Sequence, residues 1–527
     1  MALRKKTRRK ITYITIFIIL CICVKLFLSN LDNLDFEIDM NTGTNYREDN
    51  IIINNGNDLV LNYCDISIGL VDIDTFNPIL TKNSDVIKFS QLVYNSLFDY
   101  SKNMDLVTEL VDTYNYNDND LYIKLKKDIY WHDGNRLNAD DVTFTINMIK
   151  EHKGIYYDFV KNIDTVEVID DYTVKLTVFD KSILTEYDLV FPIISSKYYE
   201  GEDFKNTDKN MQPMGTGMYK FVENIDKQFL FTYNSKLKEK TQVSNITVID
   251  YSSISEAYAG IKNKKVDMIF TSLTNYDEFI GKIGYSKEEY IDNTYMFLAV
   301  NIANKYLNNL EVRKAINIGL DKQSIFNDIH NGLGYVSQSL IYPHSYLYKN
   351  IDVNYDIDRA KQILIDSGLT NQVNLNLLVN SSNEKNVLVA NNIMEQLQKI
   401  NVKVNVVKKN SKEYLEGLEK GNYDLALVNF NISNNINMKM FEDNAYDSVF
   451  NFENVTFKNY ISNIKDTDTY IDRKQNFANM QAMILEELPY IGIGFMKETV
   501  IFSADLLGVT DLRYNNLFIN FSEFYKK

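Results

Sequence analysis

Residues 356–430 read DIDRAKQILIDSGLTNQVNLNLLVNSSNEKNVLVANNIMEQLQKINVKVNVVKKNSKEYLEGLEKGNYDLALVNF, and the alternation of two hydrophobic periods along them decides the fold class. Asp356 caps a helix in which Ala360, Ile363 and Leu364 recur at helical spacing, and Gly368 stands where that helix should stop. Val373, Leu375, Leu377 and Val379 then alternate as a strand. Ser381 with Glu384 forms a capping-box pattern for a second helix, which carries Val389, Ile393, Leu397 and Ile400 on one stripe. Val402, Val404 and Val406 alternate again. A third helix is predicted over 412–420, with Tyr414, Leu415 and Leu418 inward and Gly421 beyond its end. The continuous run Leu425 to Val428 suits a strand buried on both faces. Strand, helix, strand, helix, strand predicts a parallel sheet with right-handed crossovers. Ligands of such sheets lie beyond the carboxyl ends of the strands, which points to Asn429, Phe430 and Asn431.

Working outward, Leu121 to Leu125 alternates as a strand, and His132-Asp133-Gly134-Asn135 has the chemistry of a tight turn. Asn138 and Asp141 make an N-cap pair for a helix through Val142, Phe144, Ile146 and Ile149, and a hairpin is predicted from Val166 to Val178 around Asp170-Asp171. At 527 residues the chain should hold two to four domains of about 100 to 200 residues each. A hydrophobic fraction of 45% with only 5 Pro marks a folded, core-forming chain.

The net charge of −15 hides an asymmetry. Arg4, Lys5, Lys6, Arg8, Arg9, Lys10 and Lys25 all precede Leu28, so the remainder sets 49 basic residues against 71 acidic ones, a balance of −22. Such a surface repels phosphate backbones and excludes nucleic acid as a partner. Three cysteines, of which Cys21 and Cys23 sit in one apolar run, give no disulfide framework. Four scattered histidines (His132, His152, His330, His344), without CxxC or HExxH spacing, give no metal site, and no cofactor is expected. The absence of a GxSxG elbow, or of a Cys paired with a His, argues against an enzyme. Gly215-Thr216-Gly217 is read as a backbone turn and not a phosphate loop, because a Tyr-Lys-Phe strand follows it.

Ile11 to Leu28 is an 18-residue apolar run, roughly 27 Å long as a helix, which matches one hydrocarbon core. The basic residues of segment 1–10 hold that end in the cytoplasm, so the bulk of the chain is expected outside the cell. The run reads as an uncleaved transmembrane anchor. Lipidation at Cys23, for which Ile22 is bulkier than usual, and cleavage without lipidation stand as alternatives. Residues 29–57, rich in Asn, Asp and Thr, form a solvated tether.

Several motifs now converge. Trp131-His132-Asp133-Gly134 followed by Ala139-Asp140-Asp141-Val142 resembles the F-H-D-G turn and A-E-D-V helix start of the family 5 extracellular solute-binding proteins of ABC importers, the oligopeptide, dipeptide and nickel class. Met214 to Phe221 resembles that family's G-T-G-P-Y segment, with Met218 replacing Pro. Val312 to Lys322 resembles its R-V-R-x-A-I-x-x-A-I-D-R stretch, Tyr355 to Gly368 its Y-D-P-x-x-A-K-x-L-L-x-x-A-G stretch, and Glu487 to Ile491 its E-x-x-P-x-I segment. The resemblance implies a type II periplasmic-binding-protein-like α/β fold of two lobes joined by crossing strands. Mapped here, lobe one covers 58–295 with an inserted domain over 81–192, lobe two covers 296–496, and 497–527 returns to lobe one. The function it implies is a monomeric receptor that captures a peptide or peptide-like solute between its lobes and delivers it to an ABC permease. Sensing without transport, or capture of nickel or haem, are the alternatives.

Residues are carried over on the same resemblance. Asp72, Asp74 and Phe76, in the stretch GLVDIDTFNP, fall in a region that lines the peptide cleft of family oligopeptide binders, and Tyr490 is placed at the far side of lobe two. Family peptide binders also carry a D-x-P-D-P segment after the strand that ends near Asn429, with an aspartate that meets the ligand's α-ammonium group. This chain has no acid between Asp424 and Glu442. Neutral amides cannot supply that charge-assisted bond, so free di- and tripeptides are expected to bind weakly unless Asp72 or Asp74 replaces the acid.

Overall fold

The computed structural model describes residues 63–180, 185–237, 240–271, 284–351, 354–432, 459 and 470–527, with a short antiparallel pairing of Ile52–Ile53 and Leu59–Val60 upstream. The basic segment 1–10, the apolar run 11–28 with Cys23, and most of the tether lie outside the described residues. No helix among the described residues is long and apolar enough to cross a membrane.

Residues 356–430 fold as their periodicity predicts. Helix Ile357–Asp366 starts at Asp356, whose carboxylate accepts from the Arg359 N–H, and the chain turns away through Gly368 at φ +76°. Strand Val373–Asn380 runs parallel to both Val402–Lys409 and Leu425–Asn431. The cap of the next helix, Glu384–Gln398, is Asn383 and not Ser381. Ser381 is held by the neighbouring strand, since its N–H and its hydroxyl both donate to the Lys409 carbonyl. The third helix is Ser411–Glu419, capped by Asn410. Leu415, expected inward, is 56% exposed, because a helix of nine residues buries only the stripe of Tyr414 and Leu418, and Leu415 lies about 100° round from Tyr414.

These strands are one end of an eleven-stranded sheet. Along it run Tyr219–Ile225, Gln228–Tyr233, Val243–Tyr251, Cys64–Val71, Met268–Thr271, Tyr490–Ser503, Tyr285–Val300, Leu425–Asn431, Val373–Asn380 and Val402–Lys409, with Gly334–Val336 attached to Tyr490–Ser503. Two long antiparallel strands, Tyr285–Val300 and Tyr490–Ser503, belong to both halves of the sheet and make the molecule two-lobed. Their register slips twice near the middle, between Ile291 and Tyr295 and again between Met296 and Phe297. Gly494, at φ +151°, sits in this irregular stretch, where a Cβ would stand 2.2 Å from the Tyr335 carbonyl oxygen. An aromatic cluster packs around it: Tyr295 lies 4.8 Å from Phe495 and 6.4 Å from Tyr490 between ring centroids.

A separate four-stranded antiparallel sheet is built from Val111–Asn117, Asp120–Leu125, Thr173–Val178 and Ile163–Asp170, in that order, and helix Ala139–His152 lies against it. Asn138 and Asp141 form a reciprocal capping box at the start of that helix. Asp141 also accepts from the buried Trp131 indole at 3.0 Å and from the N–H and hydroxyl of Ser196, so one carboxylate locks the turn, the helix start and the 195–196 segment together.

Candidate functional site

The strand Leu425–Asn431 delivers its carboxyl end to the point where the first crossing strand enters the second lobe, as Thr294, Tyr295 and Met296 pair with Asn431, Phe430 and Asn429. Asn429 is exposed and its amide donates to Asn386 Oδ1 at 2.9 Å. Phe430 is half-buried opposite Tyr295, and exposed Asn431 has its side-chain oxygen 3.1 Å from the Thr294 hydroxyl. The structure thus brings these three residues to one strand end beside the crossing strands.

The lobe-one candidates divide. Asp72 ends strand Cys64–Val71 in the left-handed region at φ +56°, with its N–H on the Tyr251 carbonyl and its side chain exposed. The Asp74 carboxylate accepts from the Thr75 N–H at 2.8 Å, the Thr81 hydroxyl at 2.5 Å and the Lys82 N–H at 2.8 Å, so it already organises its own loop. Phe76 is 2% exposed, and protein packs around its ring, with Phe229 at 4.8 Å and Phe231 at 5.8 Å between centroids. Tyr490 is likewise enclosed, 1% exposed, with Phe297 at 5.5 Å. Phe76 and Tyr490 are packed into the hydrophobic core of this structure.

His132 joins two of the motifs singled out above. Its Nε2 lies 3.0 Å from the Gly217 carbonyl and its Nδ1 accepts from the Gly215 N–H at 3.3 Å, while burial pushes the imidazole down to about 4, so it stays neutral. Gly215 is required by close approach, because a Cβ there would meet the Val93 carbonyl oxygen at 1.8 Å. The turn and the Gly-Thr-Gly segment are therefore structural joints. Among the described residues no group of three or more His, Cys, Asp or Glu is placed to hold a metal ion. An open groove of about 600 Å³, lined by Thr113, Asn115, Tyr122 and Lys124, lies on the four-stranded sheet.

A charged cluster escaped the sequence reading. Lys88, on helix Ser84–Ser90, stands 2.8 Å from Glu498 Oε2 on the second crossing strand and 3.8 Å from Asp85 Oδ1. Tyr290, on the first crossing strand directly opposite Glu498, donates its hydroxyl to the same Glu498 oxygen. Burial opposes the Glu498 charge, but Lys88 and the hydrogen bonds outweigh it and hold the carboxyl below its usual range. Two residues further on, Asp292 is raised by burial and then by the Glu498 charge, partly offset by hydrogen bonds from the Thr294 hydroxyl and the backbone. Lys88 and Glu498 stand 410 positions apart in the sequence, so no local pattern announced the cluster.

Comparison with known proteins follows the same outline. The model of the bacterial extracellular solute-binding proteins, family 5 middle region, matches residues 105–463. The oligopeptide-binding protein AppA of Bacillus subtilis is 24% identical over 474 residues, which covers 81% of this chain and 85% of that protein. Among solved structures, HbpA2 from Haemophilus parasuis aligns with a TM-score of 0.76 at 19% identity, covering 88% of this chain and 100% of the other. AppA from Bacillus subtilis in complex with a nonapeptide aligns at 0.60 and 18% identity, covering 88% and 99%. At these identities the structural likeness speaks for the fold.

Proposed function

The chain belongs to the family 5 bacterial extracellular solute-binding proteins, and from that premise we propose that it is a membrane-anchored surface receptor that closes two lobes over a peptide or peptide-like solute and hands it to an ABC permease. The observation that carries this reading is the pair of long crossing strands, Tyr285–Val300 and Tyr490–Ser503, shared by both lobes and irregular at their middle. Strands that serve two lobes act as a hinge, because small φ/ψ changes at a few bulged residues rotate one half-sheet against the other. The lobe limits at 295/296 and 496/497 fall in or beside this stretch, which supports placing the hinge there. On this reading Asn429, Phe430 and Asn431 line the cleft from lobe two, and Asp72 stands at the lobe-one rim. The receptor works as a monomer and no bond in the solute is broken. Selectivity comes from burial of the ligand and its polar partners.

Two measurements test the reading. Mass spectrometry of the full-length chain purified from the membrane fraction should find a co-purifying peptide or peptide-like solute and an N-terminus that retains segment 1–10. A chain beginning at a diacylated Cys23 would replace the transmembrane anchor by a lipid one. A strain lacking the protein should grow poorly on peptides as the sole amino-acid source, and undiminished growth would favour sensing over uptake.

A further inference from the structure

We propose that Arg473 is a latch that draws lobe two onto the inserted domain, and that it thereby sets the affinity of the receptor without touching the solute. This rests on the reading of the molecule as a two-lobed solute receptor, and it gives a role to the inserted domain, which that reading left without one. On the limits mapped above, Arg473 lies in lobe two, at 296–496, and its neighbours Glu186 and Tyr187 lie in the inserted domain, at 81–192.

Both sides of the contact are anchored in their own lobes. The short turn Thr185–Tyr187 is tied to the inserted domain at three points: the Asn162 amide donates to the Thr185 hydroxyl at 2.8 Å, the Tyr116 hydroxyl to Glu186 Oε2 at 2.7 Å, and the Tyr100 hydroxyl to the Tyr187 carbonyl at 2.9 Å. Opposite it, Arg473 sits in the first turn of helix Tyr470–Glu487, whose other end leads into the second crossing strand, Tyr490–Ser503. Arg473 Nη1 donates to the Tyr187 hydroxyl at 2.9 Å, and its guanidinium carbon stands 6.0 Å from the centroid of the same ring. The Tyr346 hydroxyl accepts a further hydrogen bond from the guanidinium, and the Glu186 carboxylate feels its charge. A planar cation with several donors, set beside an aromatic face, two hydroxyls and a carboxylate, is held by all of them at once.

The same two parts of the chain meet a second time. The Tyr346 N–H donates to the Asn103 carbonyl at 3.2 Å, and Tyr100 and Met104 of the inserted domain share one apolar cluster with Leu347 and Phe477 of lobe two. Phe477 is one turn along the helix from Arg473, so the polar clasp and the apolar contact are carried by the same rigid element. A rotation of one half-sheet against the other about the crossing strands separates these partners. The clasp therefore stabilises only the arrangement in which lobe two rests on the inserted domain. The apparent affinity of a receptor scales with the fraction of molecules already in the binding-competent arrangement, so a latch changes the affinity for every solute by the same factor and leaves selectivity among solutes as it was. That separates Arg473 from a residue that lines the cleft.

The test uses the full-length chain in detergent, freed of bound solute, with nitroxide labels on azide-bearing residues installed at exposed Glu223 and Lys403, which lie on the two outermost strands of the large sheet. The distance between the labels reads the opening of the lobes in Arg473→Gln, in Tyr187→Phe and in Lys474→Gln, a control at the exposed neighbouring position. In the unliganded protein Arg473→Gln should shift the distances to longer values, Tyr187→Phe should shift them less in the same direction, and Lys474→Gln should leave them unchanged. A pool of random hexapeptides should bind Arg473→Gln about five- to tenfold more weakly, through faster dissociation at an unchanged association rate, and a saturating amount should restore the wild-type distance. Should Arg473→Gln fail to fold, Tyr187→Phe carries the same readouts. Unchanged distances in both variants, a lower melting temperature without a shift in distance, or a shift in distance with unchanged hexapeptide affinity overturns the latch. If the pool does not bind wild type, the peptide-receptor reading fails, and the distances in the unliganded protein still decide the latch.

Discussion

At the scale of the residue, two carboxylates show how burial turns one functional group into two devices. Asp141 is buried but answered by four donors, from Trp131, Asn138 and Ser196, the last with both its N–H and its hydroxyl. Asp141→Ala should therefore cost about 2 to 4 kcal/mol in urea unfolding, because it orphans an enclosed indole N–H and opens a helix cap. The exposed neighbour Asp140→Ala should stay within about 0.5 kcal/mol. Glu109 is the opposite case. Burial, reinforced by the Asp99 charge, pushes its carboxyl up to about 7, although Asn95 and Ser96 hydrogen-bond to it. In the unfolded chain it releases its proton near 4.5. Between those values the unfolded state binds fewer protons than the folded one, so this residue lowers stability as pH rises from about 4.5 to about 7 and adds no slope above that. Glu109→Gln lacks the proton. Its stability relative to wild type should thus rise by on the order of 1 to 3 kcal/mol between pH 4.5 and pH 8, and a flat difference would rule out this titration.

At the scale of the element, two positive-φ glycines, Gly494 on the second crossing strand and Gly368 beyond helix Ile357–Asp366, carry different loads. At Gly494 the backbone is left-handed and a methyl group would collide with the Tyr335 carbonyl oxygen and with the Val336 Cα at 2.9 Å. Gly368 is also left-handed, at φ +76°, yet nothing lies within 4 Å of its missing Cβ. Gly368→Ala should cost about 1 kcal/mol, the backbone term alone, whereas Gly494→Ala should cost about 2 kcal/mol or more, because steric overlap adds to it. Chemical denaturation of the two variants separates these contributions. A Gly494→Ala protein as stable as Gly368→Ala would mean that the middle of the second crossing strand yields freely.

At the scale of the whole molecule, the two lobes are joined by more than the crossing strands. One apolar cluster draws Tyr100 and Met104 together with Tyr295, Phe297, Tyr342, Phe477 and Tyr490, and Arg473 on helix Tyr470–Glu487 donates to the Tyr187 hydroxyl at 2.9 Å. On the proposed reading of two lobes that open and close, ligand exchange loosens contacts of this kind. A true solute should therefore raise the melting temperature and shrink the scattering radius together, with a stabilisation of about 2.7 kcal/mol at a hundred times its dissociation constant. Stabilisation without compaction would put the binding site outside the cleft.

The local chemistry of the chain was legible from its sequence. Asp356, Asn138 with Asp141, Gly134 and Gly368 act within a turn or two of their own position, and the periods of 2 and 3.6 residues report which face is buried, so caps, turns and the parallel strands of 373–431 could be read directly. The ordered motifs also identified the family. Periodicity says that a side chain is inward without saying what it meets. Phe76 and Tyr490 are inward aromatics, and only the fold shows which rings meet them, Phe229, Phe231 and Phe297 from distant segments. Asp74 is a cleft candidate on the resemblance, and only the folded loop shows Thr81 and Lys82 on its carboxylate. Lys88, Tyr290 and Glu498 are unremarkable charges and rings along the chain. They come together because the antiparallel crossing strands set Tyr290 opposite Glu498 and helix Ser84–Ser90 brings Lys88 to the same carboxylate, and a buried charge acquires its energetic meaning only from the partners that reach it.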